Sequence, residues 1–94
     1  MASAPESQNL PEKLSLYCRD WCGACFLVKR QLPRLNVEVE IRDVFKERQH
    51  YEDLINARGR GTVPVLRRDY ADGTSDWMPE SRDIVRYLAE NYAG

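Results

Sequence analysis

The sequence predicts one α/β domain in which three helices flank a four-stranded mixed sheet, in the order β-α-β-α-β-β-α. Three observations support this fold: short segments of alternating apolar residues, longer segments with apolar residues at helical spacing, and turn residues between them. The length of 94 residues suits a single domain. The apolar fraction of 43% is typical of a folded protein.

The first half of the chain predicts two strands and two helices. Residues 14–18 alternate between apolar and polar side chains, which predicts a strand. A helix is expected from about residue 22 to 35, and Pro33 is expected to kink or end it in its last turn. Apolar and charged residues alternate strictly over 37–41, which predicts a second strand near the sheet edge. Residues 46–58 predict the second helix.

The second half predicts a hairpin followed by a helix. A third strand is expected to begin with residues 63–66, and Asp72-Gly73 is typical of a hairpin turn. Residues 75–78 then return as the fourth strand. Ser81 is expected to cap the last helix, whose apolar face carries Ile84, Val85, Leu88 and Tyr92.

Composition favours a cytoplasmic protein without nucleic acid or membrane as partner. The net charge is -1, so no basic surface for nucleic acid is expected. No apolar run approaches the ~18 residues of a membrane span, and residues 1–12 show no export signal. We interpret residues 1–12 as a flexible lead-in and residues 13–94 as the folded domain.

All three cysteines, Cys18, Cys22 and Cys25, fall within eight positions, which indicates a site rather than a disulfide-stapled scaffold. Cys22 is predicted where the first strand ends and the first helix begins. There the helix N-terminus favours the Cys22 thiolate. The positive charge of Arg19 also favours it, whereas the negative charge of Asp20 opposes it. Cys25 lies one turn further in and can attack a mixed disulfide on Cys22. We therefore predict Cys22 as nucleophile and Cys25 as resolving thiol.

The cysteines also have other interpretations. Buried cysteines are common as small apolar residues, and core packing is the favoured role for Cys18, with a regulatory disulfide as the alternative. A zinc site usually needs four ligands, but only these cysteines and the distant His50 are available. The spacing also matches the cluster motif of radical enzymes that use S-adenosylmethionine. Those enzymes need a large partial barrel that this chain is too short to build.

Thr62-Val63-Pro64 opens the third predicted strand. A proline there donates no ladder hydrogen bond, so neighbouring backbone groups stay free. With a cis bond before Pro64, the Val63 backbone would turn toward the cysteines and pair with a peptide-like substrate. A trans proline in an ordinary loop is the alternative.

Together, Cys22-Gly23-Ala24-Cys25, Thr62-Val63-Pro64 and the closing helix resemble the thioredoxin superfamily, and within it the glutaredoxins. The resemblance covers about 14–92 and implies a thioredoxin-like fold. Glu80-Ser81, followed by a helix with Ile84 and Tyr87-Leu88, is similar to the glutathione-binding half of glutathione transferases. Alone, that pair is more typical of an ordinary helix cap.

The resemblance implies a glutathione site. Glu80 and Ser81 would hold the γ-glutamyl end, with the carboxylate on the ammonium and Ser81 on the α-carboxylate. The Val63 backbone, between Thr62 and Pro64, would pair with the cysteinyl part. Arg60, or less favourably Arg58, would meet the glycine carboxylate.

The expected function is a glutathione-dependent thiol-disulfide oxidoreductase. It would act on protein disulfides and glutathionylated proteins in electron transport and cell redox homeostasis, as a monomer with a redox-active Cys22–Cys25 disulfide and no metal. Gly23-Ala24 replaces the Pro-Tyr of many glutaredoxins, so a [2Fe-2S] carrier, dimeric through Cys22 and glutathione, is one alternative. A thioredoxin-like reductase driven by a flavoprotein and a structural domain with inert cysteines are the others.

Overall fold

The computed structural model describes residues 10–93 and has the predicted order of elements. Its strands are β1 (Lys13–Cys18), β2 (Glu40–Asp43), β3 (Val65–Asp69) and β4 (Ser75–Pro79). Its α-helices are α1 (Gly23–Lys29), α2 (Arg48–Arg58) and α3 (Ser81–Tyr92), and a 3-10 turn covers Leu32–Arg34. None of the helices in this described part is long and apolar enough to cross a bilayer.

The sheet is mixed and has the strand order β2-β1-β3-β4. β1 and β2 are parallel, with Ser15 opposite Glu40, whereas β3 pairs antiparallel with both β1 and β4. The parallel pair needs a crossover connection, which α1 supplies. The predicted thioredoxin-like α/β fold is confirmed, and so is the position of β2 at the sheet edge.

The first helix is shorter than predicted. It was expected over 22–35, but α1 ends at Lys29 and Pro33 lies in the 3-10 turn that follows. A proline ring clashes with the carbonyl group four residues earlier, which here belongs to Lys29, and it offers that carbonyl no N–H group. The α-helix therefore ends at this residue.

β2 and α2 both begin later than predicted. The valines at 37 and 39 pack half-buried against the core before β2 starts, so the strand does not cover 37–41. The Asp43 carboxylate accepts hydrogen bonds from the backbone N–H groups of Phe45 (2.8 Å) and Lys46 (3.0 Å). This turn occupies the beginning of the predicted second helix, so α2 starts only at Arg48.

Apolar clusters lie on both faces of the sheet. The cluster under α1 and α3 contains the buried residues Leu14, Leu16, Cys18, Cys25, Val28, Leu66, Ile84 and Leu88. The cluster on the α2 face contains Tyr17, Val44, Leu54 and Val65. Each buried side chain of leucine size contributes about 1.5–3 kcal/mol to folding. Because the two clusters fix the helices against both faces of the sheet, the loops at the end of the sheet connect elements that are held in place.

Most of the predicted lead-in, residues 1–9, lies outside the described residues. Within the described part, the backbone N–H of Glu12 donates a hydrogen bond to the carbonyl of Asp69 at 2.8 Å. The chain is therefore tied to β3 immediately before β1 begins. The division into residues 1–12 and 13–94 stays a prediction.

Candidate functional site

Three loops that are distant in sequence lie at the same end of the sheet. Tyr17 near the end of β1 pairs with Val65 at the start of β3, and Val65 in turn pairs with Pro79 at the end of β4. The loops that leave β1, enter β3 and leave β4 therefore lie side by side. These loops carry Cys22, Val63 and Glu80, so the strand register places the three predicted parts of the site at the same end of the sheet.

Cys22 lies at the N-terminus of α1. It is the N-cap residue, with extended backbone angles (φ -116°, ψ 113°), and its carbonyl accepts the first helical hydrogen bond from Phe26 N–H. The backbone N–H of Cys25 donates to Cys22 Sγ at 3.4 Å. Sulfur thus takes the place that a serine or aspartate oxygen commonly has at a helix start.

The surroundings of Cys22 favour its thiolate. Partial burial acts to raise the pKa, but hydrogen bonds from the Cys25 backbone and thiol, the Ala24 backbone and the charge of Arg19 outweigh it. The pKa of Cys22 therefore lies below the usual thiol value. The side chain is also partly exposed, so a thiolate at this position has access to a dissolved disulfide.

Cys25 and Cys18 have the opposite character. Cys25 is only 1% exposed, and its burial, with the neighbouring sulfur of Cys22, raises its pKa to about 12. Burial also raises the pKa of Cys18, although the charge of Lys29 partly counters it. Of the three free thiols, Cys22 is consequently the one whose thiolate form is favoured by its surroundings.

The segment before β3 carries a cis peptide bond between Val63 and Pro64. Of the two alternatives for this proline, the structure has the cis form. The side chains of Val63 and Cys22 pack against the same buried cluster. Among the described residues, no backbone hydrogen bond involves Val63, so its N–H and carbonyl are available to a ligand.

Glu80 has an unusual backbone conformation. Its φ is 76° with ψ 110°, and positive φ is uncommon for a residue other than glycine. Glu80, not Ser81 as predicted, is the N-cap of α3, and its side chain makes no capping hydrogen bond. Such a conformation costs roughly 1–3 kcal/mol and is concentrated at functional sites. Ser81 is the first helical residue and, with Leu27 of α1 and Gln31 just before the 3-10 turn, lines a hollow of about 220 Å³.

Arg19 has a more central position than the sequence indicated. It lines a hollow of about 310 Å³ with Thr62 and Val63, and it also lines a second hollow of about 420 Å³ with Cys22. Arg60 is exposed and lines neither hollow. The sequence suggested Arg19 only as a charge close to Cys22. Arg19 directly follows β1 and lies three residues before Cys22. That position was the sequence signal that Arg19 could also lie beside the segment that precedes β3.

No group of three or more His, Cys, Asp or Glu side chains within residues 10–93 is arranged to hold a metal ion.

The mixed sheet, the cysteine pair at the start of α1 and the cis-proline segment together define a thioredoxin-superfamily protein. The family model of the glutathione S-transferase N-terminal domain matches residues 16–94. The chain belongs to this family.

Solved structures give the same relationship. TDR1, a trimeric glutathione transferase from Leishmania, is 28% identical with a TM-score of 0.68; the match covers 85% of this chain and 18% of that one. Glutathione transferase F2 from Populus trichocarpa is 26% identical, with a TM-score of 0.63 and coverage of 85% and 36%. The chain thus spans only about a fifth to a third of these transferases.

A mutated buckwheat glutaredoxin is closer in length. It is 18% identical with a TM-score of 0.59, and the match covers 96% of this chain and 89% of that one. At this identity the likeness concerns the fold. No curated protein matches the chain.

Proposed function

We propose that the protein is a glutathione-dependent thiol-disulfide oxidoreductase in which Cys22 is the nucleophile. One observation carries the proposal. The partly exposed Cys22 thiol, whose pKa is lowered, lies at the same end of the sheet as the Val63 backbone, which makes no backbone hydrogen bond among the described residues. A thiolate is the reactive form in disulfide exchange, and a free backbone N–H and carbonyl suit a peptide-like ligand. Membership of a glutathione transferase domain family supports glutathione as that ligand.

Glutathione would lie across the three loops. The backbone of Val63, flanked by Thr62 and Pro64, would pair with its cysteinyl residue as an added strand. The Glu80 carboxylate would face its ammonium group, while Ser81 and the first N–H groups of α3 would hold the α-carboxylate.

The glycine carboxylate of glutathione has two candidate partners. Arg60 is the residue that the family resemblance implies. Arg19 has the support of the structure, because it shares a hollow with Thr62 and Val63.

The reaction would proceed by two exchanges at sulfur. The Cys22 thiolate attacks the glutathione sulfur of a mixed disulfide, a Cys22–glutathione disulfide forms, and the substrate thiolate leaves. A second glutathione thiolate then attacks the glutathione sulfur and releases glutathione disulfide and the Cys22 thiolate. The glutathione sulfur of the mixed disulfide stays at the disulfide level throughout. The substrate sulfur is reduced to a thiolate, which takes up a proton, and the incoming glutathione sulfur is oxidised to the disulfide level in glutathione disulfide. In the alternative route, Cys25 would displace the group bound to Cys22 and form the Cys22–Cys25 disulfide.

The proposal is tested by reduction of a small glutathione mixed disulfide in an assay coupled to glutathione reductase. Cys22→Ser is expected to abolish turnover, because a hydroxyl is a poor nucleophile at neutral pH. Cys18→Ala is the matched control, since it removes a neighbouring sulfur that is fully buried. Equal activity of the Cys22→Ser variant and the unmodified protein would disprove the mechanism.

The predicted alternatives are separated by the same preparation. Iron and acid-labile sulfide in protein purified without air would indicate a [2Fe-2S] carrier, in which Cys22 of each chain would be a ligand. Faster reduction of insulin disulfides with a flavoprotein reductase than with glutathione would indicate a thioredoxin-like reductase.

A further inference from the structure

The hollow that lies against Cys22 contains Arg19 but none of the other residues proposed to bind glutathione. Its volume is about 420 Å³, and Trp21, Phe26 and Lys29 are among the residues that line it. Thr62, Val63 and Ser81 line other hollows. Because Cys22, Phe26 and Lys29 are four and three residues apart, they lie on one stripe of α1. We call this hollow the α1 groove.

The α1 groove has an apolar wall that the described residues leave uncovered. Trp21 is fully exposed, and Phe26 is 62% exposed. Trp21 also has a positive φ of 60°, a conformation that a bulky residue seldom adopts without a reason. Two uncovered aromatic side chains beside a reactive sulfur are typical of a surface that contacts a partner.

The charge of the α1 groove is positive. Among residues 10–93, neither Lys29 nor Arg19 has a carboxylate within ion-pair distance. The one acidic residue of the groove, Asp20, is paired with Lys46 at 3.6 Å. A partner that extends along this stripe would therefore meet aromatic rings near Cys22 and an uncompensated ammonium group at Lys29.

We propose that the α1 groove binds the polypeptide half of a glutathione mixed disulfide, an inference that rests on the proposed function. The groove would select substrate cysteines that are flanked by an apolar and an acidic residue. The Cys22 sulfur would then lie between two subsites, one for glutathione and one for the protein. When Cys22 attacks the glutathione sulfur, the substrate cysteine leaves as a thiolate along the α1 groove. Its apolar neighbour would contact Phe26, and its acidic neighbour would approach Lys29.

The test uses two glutathionylated peptides that are identical except for one residue. Each has leucine beside the modified cysteine, and the next position is glutamate in one peptide and lysine in the other. We expect kcat/KM to be about fivefold higher for the glutamate peptide, the size expected when one exposed charge contact changes from attraction to repulsion. The ratio should approach one at high salt.

Lys29→Glu should reverse this preference, because it inverts the charge at the proposed contact. Arg30→Glu is the matched control: it makes the same charge change one residue further along, at an exposed position outside the α1 groove. Its ratio should stay close to that of the unmodified protein. Phe26→Ser should remove a preference for leucine over serine beside the cysteine.

The outcomes separate the two proposals. Absence of turnover with either peptide and with a small mixed disulfide would overturn the proposed function itself. Normal turnover with equal kcat/KM for the two peptides would leave the function standing and overturn the α1 groove as a subsite. Equal shifts of the ratio in the Lys29→Glu and Arg30→Glu variants would also overturn it, because they would reflect net charge alone.

Discussion

Replacing Glu80 by glycine is expected to make the protein more stable and less able to use glutathione. The strain at φ 76° is worth about 1–3 kcal/mol in a residue with a Cβ atom, and glycine adopts this region freely. Glycine gives back about 0.5–1 kcal/mol through the greater entropy of the unfolded chain. The Glu80 side chain makes no capping hydrogen bond that would be lost. The net gain is about 1 kcal/mol, or about 4–8 °C in Tm for a domain of this size.

Thermal and urea unfolding measure the stability of Glu80→Gly, and KM for glutathione measures the role of its carboxylate. Glu80→Ala is the matched variant, because alanine keeps the Cβ atom and removes the carboxylate. Both variants should have a raised KM, but only the glycine variant should be stabilised. The reasoning about strain is refuted if the two variants are equally stable. An unchanged KM in the alanine variant would refute the proposed contact with the ammonium group.

Three further predictions concern the cysteines. Cys22 should react with iodoacetamide with a pH midpoint below that of an ordinary thiol, while Cys25, with a pKa of about 12, stays unlabelled near neutral pH in mass spectra. Because folding lowers the pKa of Cys22, its thiolate stabilises the folded, reduced protein at pH values above the unfolded-state pKa. Urea unfolding of the unmodified protein and of Cys22→Ser should show this stabilisation, and the difference should disappear as the pH falls through the folded-state pKa of Cys22. Cys18→Ala should lower the free energy of unfolding by about 1–2 kcal/mol and keep the exchange activity, since Cys18 is fully buried.

Local patterns predicted the elements and their order well. The Asp72-Gly73 turn is confirmed: Gly73 has a φ of 90°, and Asp72 accepts a hydrogen bond from the Thr74 backbone at 2.9 Å. The helical stripe that ends the chain is also confirmed, with Ile84 and Leu88 fully buried. These features depend on neighbours in sequence, which a periodic pattern records directly.

Features that depend on distant partners were not predicted. The Tyr17 hydroxyl donates to Asp53 Oδ2 (3.1 Å) and accepts from Arg42 Nη1 (2.7 Å), so it joins β1, β2 and α2. No local signal records this, because each partner is at least 25 residues away. The positive φ of Glu80 and the position of Arg19 between two hollows both depend on how the loops converge. The sequence spacing identified the cysteine pair. Only the strand register shows that Val63 and Glu80 lie at the same end of the sheet as that pair.

The difference between Cys22 and Cys25 predicts which of the two proposed routes would operate. Both formation and reduction of a Cys22–Cys25 disulfide pass through a Cys25 thiolate, as nucleophile in one direction and as leaving group in the other. Because burial raises its pKa to about 12, Cys25 is almost entirely protonated at pH 7. A mixed disulfide on Cys22 removes the neighbouring sulfur charge, but burial, the largest cause of the raised pKa, remains.

The route through Cys22 alone uses a thiolate of lowered pKa as both nucleophile and leaving group. Cys25→Ser should therefore keep at least half of the activity on glutathione mixed disulfides and lose reduction of disulfides within one protein. Activity on each substrate, measured at equal glutathione concentration, decides the question. If Cys25→Ser loses both activities in parallel while it remains folded, the buried thiol takes part in every turnover, and its high pKa does not control the route.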